Sequence, residues 1–216
     1  MHTVNLDDRS ITVGKIVCIG RNYAEHIKEL GNKTPDKAVI FMKPASAIVA
    51  TGGTVVIPDY SQDCHHEIEL AVLIGKQAKG VCAAEALDHV AGYAVALDLT
   101  LRDVQNTQKE KGLPWEIAKG FDTSCPLSAF VPANQVRNPQ NLQLTLTVNG
   151  KMRQNGSTSD MMRTIAELIA EVSSYFTLEE GDILLTGTPS GVARIASGDR
   201  LEASIEGIGE LAVSVA

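Results

Sequence analysis

His65-His66-Glu67-Ile68-Glu69-Leu70-Ala71-Val72-Leu73-Ile74-Gly75 sets two acids against an apolar run that does not alternate. Glu67 and Glu69 are two apart, the spacing that puts side chains on one face of a strand. From Ala71 to Ile74 both faces are apolar, as in a strand covered on both sides. A second stretch, Ala91 to Asp103, repeats the pattern and carries Asp98. Two carboxylates about 4 Å apart repel by about 4 kcal/mol at an effective dielectric near 20. A buried cluster of three therefore takes up protons or a cation. An all-oxygen donor set suits Mg²⁺, Mn²⁺ or Ca²⁺ better than zinc. The competing reading is a solvent-facing Glu-x-Glu on an edge strand. His65 and His66 leave two roles open, transition-metal ligands or hydrogen-bonding partners of the acids.

Outward from this stretch, short strands are expected over 15–20, 39–42, 55–58, 67–75, 93–101 and 183–186. Leu142–Val148 alternates and meets Asn149-Gly150, a hairpin turn with a return strand over 151–154. Arg200–Ile205 and Glu210–Val215 form a closing hairpin. Helices are expected over Tyr23–Leu30, capped by Asn22 and ended by Gly31, with Ala24, Ile27 and Leu30 as its apolar stripe. Others are expected over 83–90, over 103–112, and over Ser159–Phe176, where Met162, Ile165, Ile169, Val172 and Phe176 recur at helical spacing. Strands outnumber helices without alternating with them, which argues for a β-rich α+β fold.

With 216 residues, 44% hydrophobic and 21% charged, the chain suits one globular core. Residues 1–14 read as an N-terminal segment and 15–216 as a single catalytic domain. A net charge of -7 without a basic stripe argues against nucleic acid. No apolar run has membrane-spanning length, and the first residues lack a signal-peptide pattern, so the expectation is a cytoplasmic protein. The four cysteines form no Cys-x-x-Cys pair and read as free thiols.

Other candidates each carry a plainer alternative. Lys119, read as a strand residue sharing a face with Ile117 and Phe121, is either partnered or snorkels from a strand end. His26 and Glu29 form a general-base pair or an exposed helix face. Gly187-Thr188-Pro189-Ser190-Gly191 offers a hydroxyl to a ligand, or is a simple turn. Arg102, Asp103 and Gln105 read a substrate carboxylate, or begin a solvated helix.

Six blocks occur in order: Gly20-Arg21-Asn22-Tyr23-Ala24-x-His26; Phe41-Met42-Lys43-Pro44; His65-His66-Glu67-x-Glu69-Leu70; Leu97-Asp98-Leu99-Thr100-x-Arg102-Asp103; Lys119-Gly120-Phe121-Asp122; and Leu185-Thr186-Gly187-Thr188-Pro189-x-Gly191-Val192. Together they resemble the fumarylacetoacetate hydrolase superfamily, and within it the short single-domain acylpyruvases and oxaloacetate decarboxylases or tautomerases. The resemblance implies a mixed β-sandwich roll, a homodimer, and one Mg²⁺ or Mn²⁺ on Glu67, Glu69 and Asp98. It implies an active-site lysine at Lys119 and a mobile helix carrying His26 and Glu29. Arg21, Lys43, Arg102, Gln105 and Thr188 match substrate-contacting positions. One departure is Ala193-Arg194, where such members often have glycine after Gly191-Val192.

The leading expectation is metal-dependent hydrolysis of a 3-acylpyruvate, such as acetylpyruvate or fumarylpyruvate, to pyruvate and a carboxylic acid. Water activated by His26 and Glu29 attacks, and Lys119 supports the departing enolate. The same small anionic 2-oxo acid site serves oxaloacetate decarboxylation or keto–enol tautomerisation. A non-catalytic metal-binding protein is the remaining class.

Overall fold

The computed structural model describes residues 2–29, 31 and 35–216. Its centre is an eight-stranded mixed sheet, in which Ile68–Ile74 pairs antiparallel with Val90–Leu97 on one side and Ile183–Leu185 on the other. Ile183–Leu185 continues parallel to Ile16–Gly20, and Val39–Lys43 closes that edge. The unbroken apolar run of Ile68–Ile74 has the predicted cause. Ile68, Leu70, Val72 and Ile74 enter one hydrophobic cluster, and Ala71 and Leu73 enter a second on the opposite face.

A five-stranded sheet supplies much of the first cluster. Gln143–Val148 and Arg200–Ile205 alternate buried and exposed, so one face packs inward. Asn149 and Gly150 take φ of 52° and 72°, the left-handed pair that a tight hairpin turn requires. The return strand runs further than expected, Lys151–Ser157. The second cluster is covered by a hairpin of Thr3–Leu6 and Arg9–Thr12, through Val4 and Leu6. The N-terminal segment is therefore packed on the large sheet.

A three-stranded sheet joins Thr100–Leu101, Cys64–His66 and Ala193–Ile195. Glu67 and Asp98 lie just outside the strands expected to contain them. The long ladder ends at the Ile68–Leu97 pair, and one further bond, Asp98 N–H to Glu67 C=O at 2.8 Å, closes it. Beyond it both segments re-pair in the small sheet. The Gly187–Gly191 loop crosses between the same two sheets, leading from Ile183–Leu185 to Ala193–Ile195. Three segments thus change sheets at one seam, which frees space for side chains there. The Ala193-Arg194 departure sits in a regular strand, paired with His66 and His65.

Several expected elements move. The long helix begins at Ile165, not Ser159, and runs Ile165–Tyr175, because Thr164 and Glu167 form a reciprocal capping box. Met162 lies outside it and is exposed. Residues 83–90 contain only a 3₁₀ turn, Ala86–His89. The strand expected over 55–58 is Thr54–Val55. The Arg102–Lys111 helix ends at Gly112 in the left-handed conformation. The first helix is Ala24–Glu29; Leu30, placed in its apolar stripe, lies outside the described residues. Ala24 is exposed, and the buried residues of that helix are His26 and Ile27. Asn22 does not cap it: its side chain bonds Arg163 N–H and the carbonyls of Arg163 and Thr186. No helix among the described residues is long and apolar enough to cross a membrane.

Candidate active site

The seam gathers the three acids. Glu67, Glu69 and Asp98 are 4, 2 and 1% exposed, and a carboxylate oxygen of each lies within 4.8 Å of the others. The edge-strand alternative fails on this burial. Neither histidine joins them. His65 Nε2 meets Asp63 at 2.9 Å and His66 Nδ1 meets Gln154 at 3.0 Å, so both act as hydrogen-bonding residues. Burial lowers the pKa of each, which keeps them neutral.

Cations surround two of the acids and neglect the third. Lys119 Nζ donates to Glu67 Oε2 at 2.9 Å and to Asp98 Oδ2 at 2.6 Å. Arg102 donates to Glu67 Oε1 and, at 2.8 Å, to Gln105 Oε1. Lys43 Nζ lies 2.9 Å from Asp98 Oδ1, but its hydrogen bonds go to the carbonyls of Leu99 and Lys119. Asp98 Oδ1 is buried without a hydrogen bond of its own. Glu69 has no ion pair among the described residues and accepts only the Gly187 N–H, at 2.7 Å.

The electrostatics follow this division. Burial resists the Glu67 charge, but Lys119, Arg102 and His26 hold its pKa well below the carboxylate range. Burial, together with Asp98 and Glu67, pushes Glu69 well above that range. Burial also opposes the Lys119 charge, yet Asp98 and Glu67 outweigh it and raise the pKa, so the amine is charged. Three buried carboxylates converging within 4.8 Å, one of them with no ion pair among the described residues, are the all-oxygen donor set a hard divalent ion completes. Glu67, Glu69 and Asp98 therefore fit a divalent cation.

Lys119 is not on a strand. It ends the short helix Glu116–Lys119, where Ile117 is 59% exposed and Lys119 3%, so the two do not share a face. Its backbone carbonyl is held by Ser124 Oγ at 2.9 Å, and its ammonium lies 4.7 Å from the centroid of the Phe41 ring. The snorkelling alternative fails because the ammonium is directed inward onto two carboxylates.

A cleft opens over the acids. Arg21, His26, Arg102, Gln105, Lys119 and Thr188, all candidates from the sequence, line it. Lys43 does not: it is buried behind Asp98 and acts on the acids from below. Asp103 is structural rather than a carboxylate reader, accepting from Ser61 Oγ and the N–H groups of Gln62 and Val104. His26 Nδ1 is 3.3 Å from Glu29 Oε2, and Glu29 in turn accepts the Gly191 N–H at 3.0 Å. The pair thus spans from the cleft to the Gly187–Gly191 loop. The sequence reading missed two groups. Lys109 and Trp115 also line the cleft, with the Lys109 ammonium 5.6 Å from the centre of the Trp115 ring. The signal for Lys109 was its position four residues after Gln105 on one helix, a spacing that shares a face.

Residues 15–216 match the family model described as fumarylacetoacetate (FAA) hydrolase C-terminal. The chain belongs to the fumarylacetoacetate hydrolase family. It is 51% identical over 193 residues to the bovine mitochondrial oxaloacetate tautomerase FAHD1, covering 89% of this chain and 87% of that one. It is 50% identical over 196 residues to the oxaloacetate tautomerase YcgM of Escherichia coli K12, covering 90% of each. Among solved structures, a fumarylpyruvate hydrolase from Pseudomonas aeruginosa in complex with Mn²⁺ and pyruvate superimposes with a TM-score of 0.95 at 38% identity, covering 99% of this chain and 94% of that one. The β-rich fold is that of this family, and the chain is an enzyme of it rather than a metal-binding scaffold.

Proposed function

We propose that the chain is an oxaloacetate keto–enol tautomerase using Mg²⁺ or Mn²⁺. The observation that carries this reading is half-identity, over about nine-tenths of the chain, to oxaloacetate tautomerases of both a mammal and a bacterium. The cleft suits such a substrate. Arg21, Arg102, Lys109 and Lys119 face into it, a cationic lining for a small dianionic 2-oxo acid.

Tautomerisation moves one proton between C3 and the C2 oxygen. In this reading His26 carries it. With Nδ1 directed at Glu29, its Nε2 remains for the substrate. Glu29, anchored by Gly191, stabilises the imidazolium that forms. Lys119 offers fixed positive charge where the enolate develops. Arg21, Arg102, Gln105 and Thr188 orient the carboxylates. When bound, a divalent cation on Glu67, Glu69 and Asp98 supplies Lewis acidity toward the 2-oxo acid.

Hydrolysis of a 3-acylpyruvate, the leading expectation from sequence, becomes the second reading. The likeness to a fumarylpyruvate hydrolase favours it, with the same His26–Glu29 pair activating water. Decarboxylation of oxaloacetate needs no attacking water and is the third outcome to score. The test is metal-replete enzyme assayed in parallel on oxaloacetate, acetylpyruvate and fumarylpyruvate, following loss of the enol absorbance, pyruvate and CO₂. The expected result is the highest kcat/KM for oxaloacetate tautomerisation. A higher kcat/KM for cleavage of either acylpyruvate would replace this assignment with the hydrolytic one. His26→Ala should slow the preferred reaction by about 10²–10⁴-fold.

A further inference from the structure

Gln154 is fully buried on the return strand Lys151–Ser157, outside the cleft lining, yet it touches two parts of the site. Its Oε1 accepts the Ile68 N–H at 3.0 Å, between Glu67 and Glu69 in the chain, and meets His66 Nδ1 at 3.0 Å. Its Nε2 lies 2.8 Å from Thr188 Oγ1 and 2.9 Å from the Pro189 carbonyl.

Two backbone groups fix the amide independently. An Ile68 N–H can only donate and a Pro189 carbonyl can only accept. The Gln154 oxygen must therefore face Ile68 and its nitrogen must face Pro189. Three consequences follow. His66 carries its proton on Nδ1. Thr188 Oγ1 accepts from Gln154. The Thr188 hydroxyl hydrogen is left to donate elsewhere, and no described residue takes it. Thr188 is 3% exposed and lines the cleft.

We propose that Gln154 is a positioning residue that holds Thr188 as a hydrogen-bond donor toward an anionic oxygen of the bound 2-oxo acid. It also fixes the loop. A Cβ on Gly156 would sit 2.6 Å from Pro189 Cβ, so strand and loop are in direct contact beside the amide. The assignment rests on the proposed reading that a 2-oxo acid occupies this cleft, whichever reaction it then undergoes.

The substitution Gln154→Glu separates polarity from shape. A carboxylate keeps the bonds from Ile68 and His66, but its second oxygen loses the bond to the Pro189 carbonyl, accepts the Thr188 hydrogen and turns the hydroxyl away from the substrate. The ligand measured is pyruvate, by calorimetry on Mn²⁺-loaded protein, with Mn²⁺ affinity and thermal melting measured on each variant. Thr188→Val should weaken pyruvate by about 10- to 100-fold, the loss of one hydrogen bond to a charged group. Gln154→Glu should weaken it similarly, and the double variant no further than either alone. Losses that multiply in the double variant, or wild-type affinity in Gln154→Glu, would overturn the proposal. So would a wild-type protein that binds no pyruvate. Loss of the tautomerase reading with pyruvate binding intact would leave it standing. Independently of any variant's folding, ¹⁵N NMR of the wild-type protein should find His66 as the Nδ1–H tautomer, and an Nε2–H tautomer would refute the assigned amide orientation.

Discussion

At the scale of single residues, the acids and the cations around them define the chemistry. Glu69 is the acid of the three that has no ion pair among the described residues, so a dication bound there would relieve its burial most. Glu69→Ala should abolish Mg²⁺- or Mn²⁺-dependent turnover and lower metal affinity by calorimetry, because a hard-ion site loses one of three anionic donors. Full activity after exhaustive chelation, with metal content verified, would contradict the metal assignment. Lys109 makes a second prediction. Burial, together with the like charges of Arg102, Arg21 and Lys119, lowers its pKa to about 8 against the opposing pull of Glu67. Below that value the amine is charged and favours an anionic ligand; above it the attraction is lost. Pyruvate or oxaloacetate binding should therefore weaken as pH rises through about 8, and Lys109→Met should flatten that portion of the profile. Stability runs the other way: between the folded and unfolded pKa values the unfolded chain holds more protons, so the Lys109 contribution rises with pH.

Among elements, the Gly187–Gly191 loop connects the most parts of the site. Gly187 binds Glu69, Thr188 lines the cleft, and Gly191 anchors Glu29. Gly191 has φ 98°, and a Cβ there would sit 2.2 Å from the Arg153 carbonyl oxygen. Gly191→Ala should destabilise the protein by about 1–3 kcal/mol or more, from backbone strain and the forced displacement of the loop. It should also lower turnover by releasing Glu29. Gly80→Ala is the matched control: φ is 62°, but nothing lies within 4 Å of the added Cβ. Its cost should be confined to the left-handed backbone, roughly 1–2 kcal/mol. Equal melting shifts for the two variants would show that the loop yields without cost.

For the whole molecule, the prediction concerns assembly. The resemblance implies a homodimer, and one surface suits it. Tyr60 and Ile117 are 57 and 59% exposed, and with Met42, Pro44 and Phe121 they line a single apolar depression. Ile117 belongs to the helix that carries Lys119, so this surface lies directly behind the site. Light scattering should report twice the mass of the 216-residue chain. Ile117→Asp should shift the population toward the single-chain mass, because a carboxylate is disfavoured in an apolar contact. A monomeric wild-type protein would remove the homodimer expectation.

The acid triad and the doubly covered strand were legible in sequence because their signal is local. Carboxylates two apart in an apolar run imply burial, and buried carboxylates imply a cation. The Asn149-Gly150 turn and the Arg102–Lys111 helix were legible for the same reason, since turn chemistry and short-range periodicity are written into neighbouring residues. What remained hidden depended on distant partners. Nothing near Lys119 in the chain distinguishes a strand from one helical turn, and only packing against Phe41, Glu67 and Asp98 directs its ammonium inward. Lys43 matched a cleft position, but the register of Val39–Lys43 against Ile16–Gly20 buries it behind Asp98. Gln154 is a lone amide in an ordinary hairpin, and its role exists only because Ile68 and Thr188, 86 and 34 residues away, converge on it. Sequence alone determined which chemical groups are available and which segments must be buried. The tertiary structure decided which groups meet, because hydrogen-bond direction and charge pairing are properties of distances that the order of residues does not contain.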